Sequence, residues 1–434
     1  MAWNLSYASP ESREQMEGLI NVILNRDNLN EAFEKVRKNK GAAGVDAKDI
    51  EATRTYLKEH KTELQASIRT GKYKPQPVRR VEIPKPDGGK RALGIPTVTD
   101  RVIQQAIVQV LTPILDPKFS EHSYGFRPKR SAHQAIAKAQ SYIDEGYHFV
   151  VDIDLEKFFD RVQHDKLMSL MAKYILCKPT LKLIRAFLNA GVMDNGVVIH
   201  STEGTPQGGP LSPLLSNVVL HELDKELEKR NHRFVRYADD CNIYVKSQRA
   251  GERVKEGITL FIEKKLKLKV NEKKSAVGKP RARIFLGMSL HQMKTGTKIY
   301  VPKKSKVRFE EKLKKLTNRN WSIDMETRIQ KINYLIQGWG NYFRIAEIKS
   351  YANSIDKHIR RRLRACRWKE WKKTITKHRN LKRLGINHND AYKMANTRKG
   401  CWRSSNNPIV NRAMSNKYWA KLKLKSLQTI INPT

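Results

Sequence analysis

The chain has 434 residues, and its 85 Lys+Arg against 43 Asp+Glu give a formal charge of +42. Hydrophobic residues make up 39%, with 23 Gly and 17 Pro, which excludes a collagen-like chain and wholesale disorder and suits two or three domains. So large a positive charge attracts polyphosphate through counterion release, which makes nucleic acid the expected partner.

The charge is uneven: residues 303–434 hold 34 Lys+Arg against 8 Asp+Glu, and the last acidic residue is Asp390. No segment reaches about 18 consecutive apolar residues, and MAWNLSYASPESR lacks the apolar run of a signal peptide, so a soluble, intracellular protein with no membrane contact is expected. Cys177, Cys241, Cys366 and Cys401 are too scattered for a disulfide framework or a zinc knuckle, and reduced thiols are expected.

Residues 10–72 read as polar helices broken at Gly41 and Gly44. VRRVEIPKPDGGKRALGIP follows as two extended runs about Pro86-Asp87-Gly88-Gly89, a β-hairpin. Next, Ile103, Ala106, Ile107, Val110 and Leu111 recur at helical spacing, with Thr99 or Asp100 as the N-cap. YHFVVDIDLEKFF has the character of a buried strand, residues 165–190 return to helical periodicity, and VVIHSTEG is extended. PQGGPLSPLLSNVVLHELDKELEKR is a Gly/Pro loop entering a helix with Leu215, Val218, Val219, Leu223 and Leu227 on one face. FVRYADDCNIYV reads as strand, tight turn, strand. From about 303 the chain becomes helices rich in Lys, Arg and Trp, and a domain boundary is placed near 300.

Two acidic sites carry the chemistry. Asp239 and Asp240 are adjacent between apolar strand residues, and neighbours on a regular strand face opposite ways, so both serve one site only at a turn. An isolated Asp-Asp pair in a hairpin turn is equally at home as solvated turn residues. Asp152 and Asp154 end the apolar run FVV, two apart and therefore on one face. Two acidic strand ends resemble a divalent-metal site of the kind phosphoryl transfer requires, because carboxylate oxygens are the ligands Mg²⁺ prefers.

FVVDIDLEKFFDRVQHDKL, GTPQGGPLSPLLSN, RYADDCNIYVKS, LKVNEKKSAV and FLG stand in the order of the palm motifs of reverse transcriptases. The chain resembles the bacterial group II intron-encoded reverse transcriptase/maturase family, in its compact form without an endonuclease domain, from GAAGVDAKDI through YFR to ANTRKGCWR. The resemblance implies an α+β right-hand polymerase: residues 1–72 a helical extension and the start of the fingers, 73–300 fingers and palm, 301–370 a helical basic thumb or maturase region, 371–434 a basic DNA-binding segment.

It also implies roles for particular residues. Asp154, five before Phe159, joins Asp239 and Asp240 as the metal-binding triad for two Mg²⁺ ions, with the Leu155 carbonyl as an extra ligand. Phe159 becomes the gate against a 2′-hydroxyl, or else a core aromatic. Arg79 and Lys85 share parity along the hairpin run; the family's fingers close on the triphosphate there, and edge-strand charges are the alternative. Gln207 sits near the incoming nucleotide, and Gly208 lets the backbone approach a base pair. Lys274 matches the lysine that protonates departing pyrophosphate, with Lys273 adjacent, and Phe285-Leu286-Gly287 and Tyr237 fall where the primer and template are gripped. Arg360, Arg361, Arg362, Arg364 and Arg367 are too dense to be offset locally by acids and are expected to hold a nucleic-acid backbone. Among Trp321, Trp339, Trp368, Trp371, Trp402 and Trp419, some are base-stacking candidates; Trp339 shares a helical face with Ile332, Leu335, Ile336 and Phe343 and reads as core.

The resemblance implies RNA template, DNA or RNA primer, dNTPs and the parent intron RNA as partners, a bacterial cytoplasmic ribonucleoprotein as the location, and either a monomer or a dimer. Two other readings stay open: an RNA-binding maturase without polymerase activity, and a reverse transcriptase of a retron, a diversity-generating element or a CRISPR system.

Overall fold

The computed structural model describes residues 18–84, 88–194, 196–199, 202–205 and 208–432; Lys85 and Gln207 lie outside the described residues. Among those residues the strands are β1 (Val78–Pro84), β2 (Lys90–Ile95), β3 (Phe149–Ile153), β4 (Val192–Asp194), β5 (Val197–Ile199), β6 (Arg233–Tyr237), β7 (Asp240–Val245), β8 (Ala276–Gly278), β9 (Ser289–Met293) and β10 (Gly296–Tyr300). The chain divides into two compact units, one up to Lys279 and the other from Pro280. The division precedes the compositional shift near 300 because the β9–β10 hairpin, which no charge change marks, belongs with the basic helices: Glu347 N donates to Ile299 O at 2.8 Å.

In the first unit, helices Leu19–Ile23, Arg26–Lys38, Ile50–Glu59 and Lys61–Arg69 precede the β1–β2 hairpin. β1 and β2 pair antiparallel from Arg79↔Ile95 to Pro84↔Lys90, and β4 and β5 extend this sheet in the order β2-β1-β4-β5. Helix Val98–Leu115 buries Val102, Ile103, Ala106, Ile107 and Leu111, as its spacing requires. It starts earlier than its sequence suggests. Thr97 is the N-cap, accepting from Asp100 N at 3.1 Å, while Asp100 turns inward and accepts from Tyr73 Oη at 2.7 Å and Gln76 N at 3.2 Å. An acid with that many buried donors holds the helix start against the segment entering β1.

The second sheet runs β6-β7-β3-β8, entirely antiparallel. Helices Ala132–Asp144, Ser212–Lys229 and Gln248–Phe261 pack against its strands. Val150, Val151, Ile153, Phe234, Val235, Cys241, Ile243 and Tyr244 are all buried, so the sheet is covered rather than half-solvated, which explains why its strands read as near-continuous apolar runs.

The second unit is the β9–β10 hairpin followed by helices from Lys303–Leu316 to Leu427–Ile431. Trp339 is half-buried, its ring tilted against Phe309 and Phe343, each at 4.7 Å, and against Tyr351 at 5.7 Å, so it packs at the edge of the helical core. Trp368, Trp371 and Trp419 are buried, which removes them as base-stacking candidates. Among the described residues no helix is long and apolar enough to cross a membrane.

Candidate active site

The site is built by strand register. β3 pairs with β7 through Asp152↔Asn242 and Ile153↔Cys241, and β6 with β7 through Tyr237↔Asp240. One residue past the last β3–β7 pair, Asp154 therefore comes opposite Asp240, and the two-residue turn Ala238-Asp239 stands at the same end of the sheet. The tight turn expected from the sequence is present; Ala238 takes φ 56°, a left-handed conformation that costs an alanine about 1 kcal/mol and needs support from its surroundings.

That support is extensive. Arg236, fully buried, donates from Nε and Nη2 to both carboxylate oxygens of fully buried Asp224, each at 2.6 Å, and from Nη1 to Ala238 O at 2.9 Å and Asn217 Oδ1 at 3.0 Å. Behind the turn, Tyr124 N donates to Arg236 O at 2.8 Å and Arg236 N to His122 O at 2.9 Å. Gly125 lies flat against the turn: a Cβ there would stand 2.1 Å from Ala238 N. Asn217 closes the circuit, donating to Gly125 O at 3.0 Å. Sequence reasoning missed Asp224, Arg236, Asn217 and Gly125. A signal existed for Asp224, an acid set within the apolar face of Leu220, Leu223 and Leu227.

Asp154 is fixed from the other side. Its N–H donates to buried Ser275 Oγ at 2.9 Å, and its carbonyl accepts from Asn271 N at 2.8 Å. Leu155 bridges Val270, and the strap from 269 to 275 delivers Lys274, whose Nζ stands 3.6 Å from Asp154 Oδ2. Both flanking bonds of that bridge come from residues 154 and 156, so neither uses the Leu155 carbonyl.

Although Asp240 is exposed at the end of β7, the protein packed around its carboxyl displaces water and, more than any neighbour, pushes it up to about 7, with Asp239, Asp152 and Asp154 adding like-charge repulsion and Lys274 opposing it. Asp239 is raised by burial too, and then by Asp154, with Arg91 and Arg236 drawing it down. Four carboxylates thus share one field with two exposed cations, Lys274 and Arg91. Arg91, on β2, is a further residue the sequence did not single out. These hard oxygen donors fit a divalent cation in chemistry, since such an ion would offset both the desolvation that raises Asp240 and the repulsion its neighbours add. Among the described residues no three His, Cys, Asp or Glu side chains converge as a ready-made metal cage, and the Lys274 ammonium stands 3.6 Å from Asp154.

The remaining predicted residues are placed as follows. Phe159 is half-buried, edge-on to Phe158 at 5.2 Å, and lines a cavity of about 230 Å³ with Leu188, Val192 and Ile199. Arg79 is exposed and donates from Nη2 to Ala43 O at 2.9 Å. Gly208 has φ 129°, and a Cβ there would meet Gly94 O at 2.4 Å, so glycine is required by packing on β2 whatever else approaches it. Tyr237 is half-buried at the end of β6. In the second unit, Phe285 and Met288 exchange backbone hydrogen bonds of 2.9 Å across Leu286-Gly287, both at positive φ, and Tyr342 Oη donates to Leu286 O at 2.8 Å. The arginine cluster is partly spent inside the protein: Arg362 donates to Thr317 Oγ1, Arg364 to Ser405 O at 2.9 Å, and Arg367 to Glu370 at 2.7 Å. Burial, and then Arg360 and Arg361, lower Arg364 to about 10.

Residues 83–290 match a family model described as reverse transcriptase (RNA-dependent DNA polymerase), and residues 306–385 match one described as group II intron, maturase-specific domain. Protein YkfC of Escherichia coli (strain K12) is 31% identical over 328 residues, which cover 66% of this chain and 86% of YkfC. The chain belongs to the group II intron reverse transcriptase/maturase family. Within that family, the group II intron-encoded protein LtrA of Lactococcus lactis subsp. cremoris is 32% identical over 346 residues, 64% of this chain and 57% of LtrA, so the match spans little more than half of LtrA. Among solved structures, a partial Cas6-RT-Cas1--Cas2 complex overlies 56% of this chain and 42% of its own at 25% identity and a TM-score of 0.37. The mixed α/β fold of this reverse transcriptase/maturase family member is that of a right-hand polymerase, and both the β1–β2 hairpin, from Ile83 onward, and the sheet β6-β7-β3-β8 fall within the residues matched to the reverse transcriptase family.

Proposed function

We propose that this chain is an RNA-directed DNA polymerase that extends a primer 3′-hydroxyl with dNTPs on an RNA template, and that it also serves as maturase for a group II intron RNA. The observation that carries this reading is the register that brings Asp154 opposite Asp240 beside the Ala238-Asp239 turn, in a chain of this family.

Asp154, Asp239 and Asp240, with the Leu155 carbonyl, would hold two Mg²⁺ ions, which lower the pKa of the attacking hydroxyl and neutralise charge on the triphosphate. Asp240 must give up its proton to take part, and because its pKa is raised to about 7 that loss is complete only in weakly alkaline solution or once a cation is bound. Lys274, already beside Asp154, is the group to protonate or screen departing pyrophosphate. Arg79 on β1 and Arg91 on β2, together with Lys85, supply cations for the triphosphate. Phe159 restricts the 2′ position of the sugar, and Gln207 and Gly208 border the nascent base pair. Tyr237 and the Phe285-Leu286-Gly287 turn hold primer and template, while Arg360 and Arg361, with the outer faces of Arg362, Arg364 and Arg367, contact nucleic-acid phosphates. Residues 301–370 act as the thumb and 371–434 as the DNA-binding segment, in a bacterial cytoplasmic ribonucleoprotein.

Primer extension on an RNA template with dNTPs and Mg²⁺ tests the reading. Synthesis that disappears in Asp240→Ala is the expected result. A well-folded protein that binds template but extends no primer would leave an RNA-binding maturase only.

A further inference from the structure

The second unit contains a cleft of about 260 Å³ that the palm chemistry does not use, just below the range of about 300–1,000 Å³ usual for small-ligand pockets. Its walls come from Lys314, Thr317, Asn318, Arg319, Arg362 and Trp402, and no acidic residue lines it. Lys314 and Arg319 are exposed. Trp402 is 38% exposed, the one tryptophan among the described residues to keep more than a third of its surface open.

The cleft is held rigid. Buried Arg328 donates to the carbonyls of Leu316 at 2.8 Å, Asn318 at 2.9 Å and Trp321 at 2.7 Å, which fixes the loop after helix Lys303–Leu316. Arg362 spends its Nε on Thr317 Oγ1 and lies 3.3 Å from Lys314 O, tying that loop to helix Lys349–Glu370. Beside the cleft, the Arg361 guanidinium lies 4.0 Å over one face of the Trp402 ring and His358 meets the ring edge-on at 6.2 Å, which holds the indole in place and leaves its other face for a ligand. An exposed indole beside uncompensated cations is the pairing that takes a base by stacking and its phosphate by charge. In a duplex both base faces are already stacked, so only an unpaired nucleotide can present one to the indole.

We propose that this cleft binds a single unpaired nucleotide of a nucleic-acid strand, base against Trp402 and phosphate on Lys314 and Arg319. The proposal shares with the proposed function only the assumption of a nucleic-acid ligand, and its test contains no dNTP, so its outcome is separate from that of primer extension. Fluorescence anisotropy of the full chain is measured with a hairpin RNA carrying one bulged adenosine, with the same hairpin fully paired, and with the DNA versions of both, over a salt series. The bulged form should bind about fivefold to a hundredfold more tightly than the paired form, the worth of one stacked base. Trp402→Ala should erase that preference and Trp402→Phe retain most of it. Lys314→Gln and Arg319→Gln should each lower the salt slope by about one for the bulged hairpin and leave the paired one unchanged. A preference in both RNA and DNA assigns the site to any unpaired nucleotide, and one confined to RNA adds a 2′-hydroxyl contact; either supports the proposal. Equal affinity for bulged and paired hairpins, a preference that survives Trp402→Ala, or slopes that change equally for both would overturn it. Should Trp402→Ala fold poorly, the two exposed-cation variants carry the test alone.

Discussion

Asp224→Asn isolates what holds the Ala238-Asp239 turn. The substitution keeps the shape of the side chain but removes the charge facing Arg236, leaving a guanidinium with no exposed surface and no counter-ion. Breaking a buried pair from one side costs about 3–5 kcal/mol, a large part of the roughly 5–15 kcal/mol that keeps a domain folded. Urea unfolding followed by far-UV circular dichroism and tyrosine absorbance reads the loss, with the transition of the first unit moving to lower urea while tryptophan fluorescence, which reports chiefly the second unit, keeps its midpoint. A second variant separates folding from positioning. In Asp224→Leu/Arg236→Met the pair is replaced by apolar side chains of similar volume, so stability should return to within about 1–2 kcal/mol of the parent. The Ala238 carbonyl and Asn217 side chain still lack the donor that Arg236 Nη1 provides at 2.9 and 3.0 Å. Primer extension should therefore stay at least about tenfold down while the fold recovers, since misplacing a catalytic carboxylate by about 1 Å costs on that order or more. Wild-type urea resistance in Asp224→Asn, or full extension activity in the double variant, would refute the claim that this buried pair aims the turn.

Four other outcomes follow from the geometry. Gly125→Ala pushes a methyl to within 2.1 Å of Ala238 N and should abolish extension while nucleic-acid affinity, read by filter binding, changes little. A carboxyl raised to about 7 holds its proton more tightly folded than unfolded, so Asp240 favours the metal-free fold at low pH and loses that contribution as pH rises from 3.8 to about 7. Asp240→Asn should thus stabilise the metal-free protein at pH 8, by about 1–2 kcal/mol once screening of this partly exposed side chain is allowed for, and not at pH 4; for the parent, the Mg²⁺ concentration needed for half-maximal extension should fall as pH rises to about 7. Lys274→Gln should slow single-nucleotide incorporation more than Lys273→Gln does, because the Lys274 ammonium stands at Asp154; equal effects in rapid-quench kinetics would dissociate Lys274 from the chemistry. Phe159→Ala should raise ribonucleotide incorporation relative to deoxynucleotide in competition assays, and unchanged sugar selectivity would assign Phe159 to packing alone.

Much of the site was legible in the linear chain for a physical reason. An acid at the end of an apolar, β-branched run is conspicuous, because the run marks a covered strand and the acid marks where it emerges; Asp154 and the Asp239-Asp240 pair both stand out this way. The tight turn followed from the pleat, since two neighbouring acids share a face only where the strand reverses. Helical periodicity likewise located helix Val98–Leu115 and the packed side of the helix that carries Trp339, half-buried against Phe309, because the spacing of apolar residues states which face is covered.

What folding alone decided is which charges meet which. The sequence lists Arg236 among 85 cations and Asp224 among 43 acids, and no local pattern says that these two are sealed together under the turn. Arg362, Arg364 and Arg367 read as one binding stripe, yet Arg362 bonds Thr317, Arg364 bonds Ser405 and Arg367 pairs with Glu370 on its own helix. Gly208 likewise owes its lack of a Cβ to Gly94, more than a hundred residues earlier. Burial and hydrophobic period are local properties that a chain writes into its composition. Charge pairing and backbone contact depend on distances between residues far apart in sequence, and those exist only once the sheet has chosen its register.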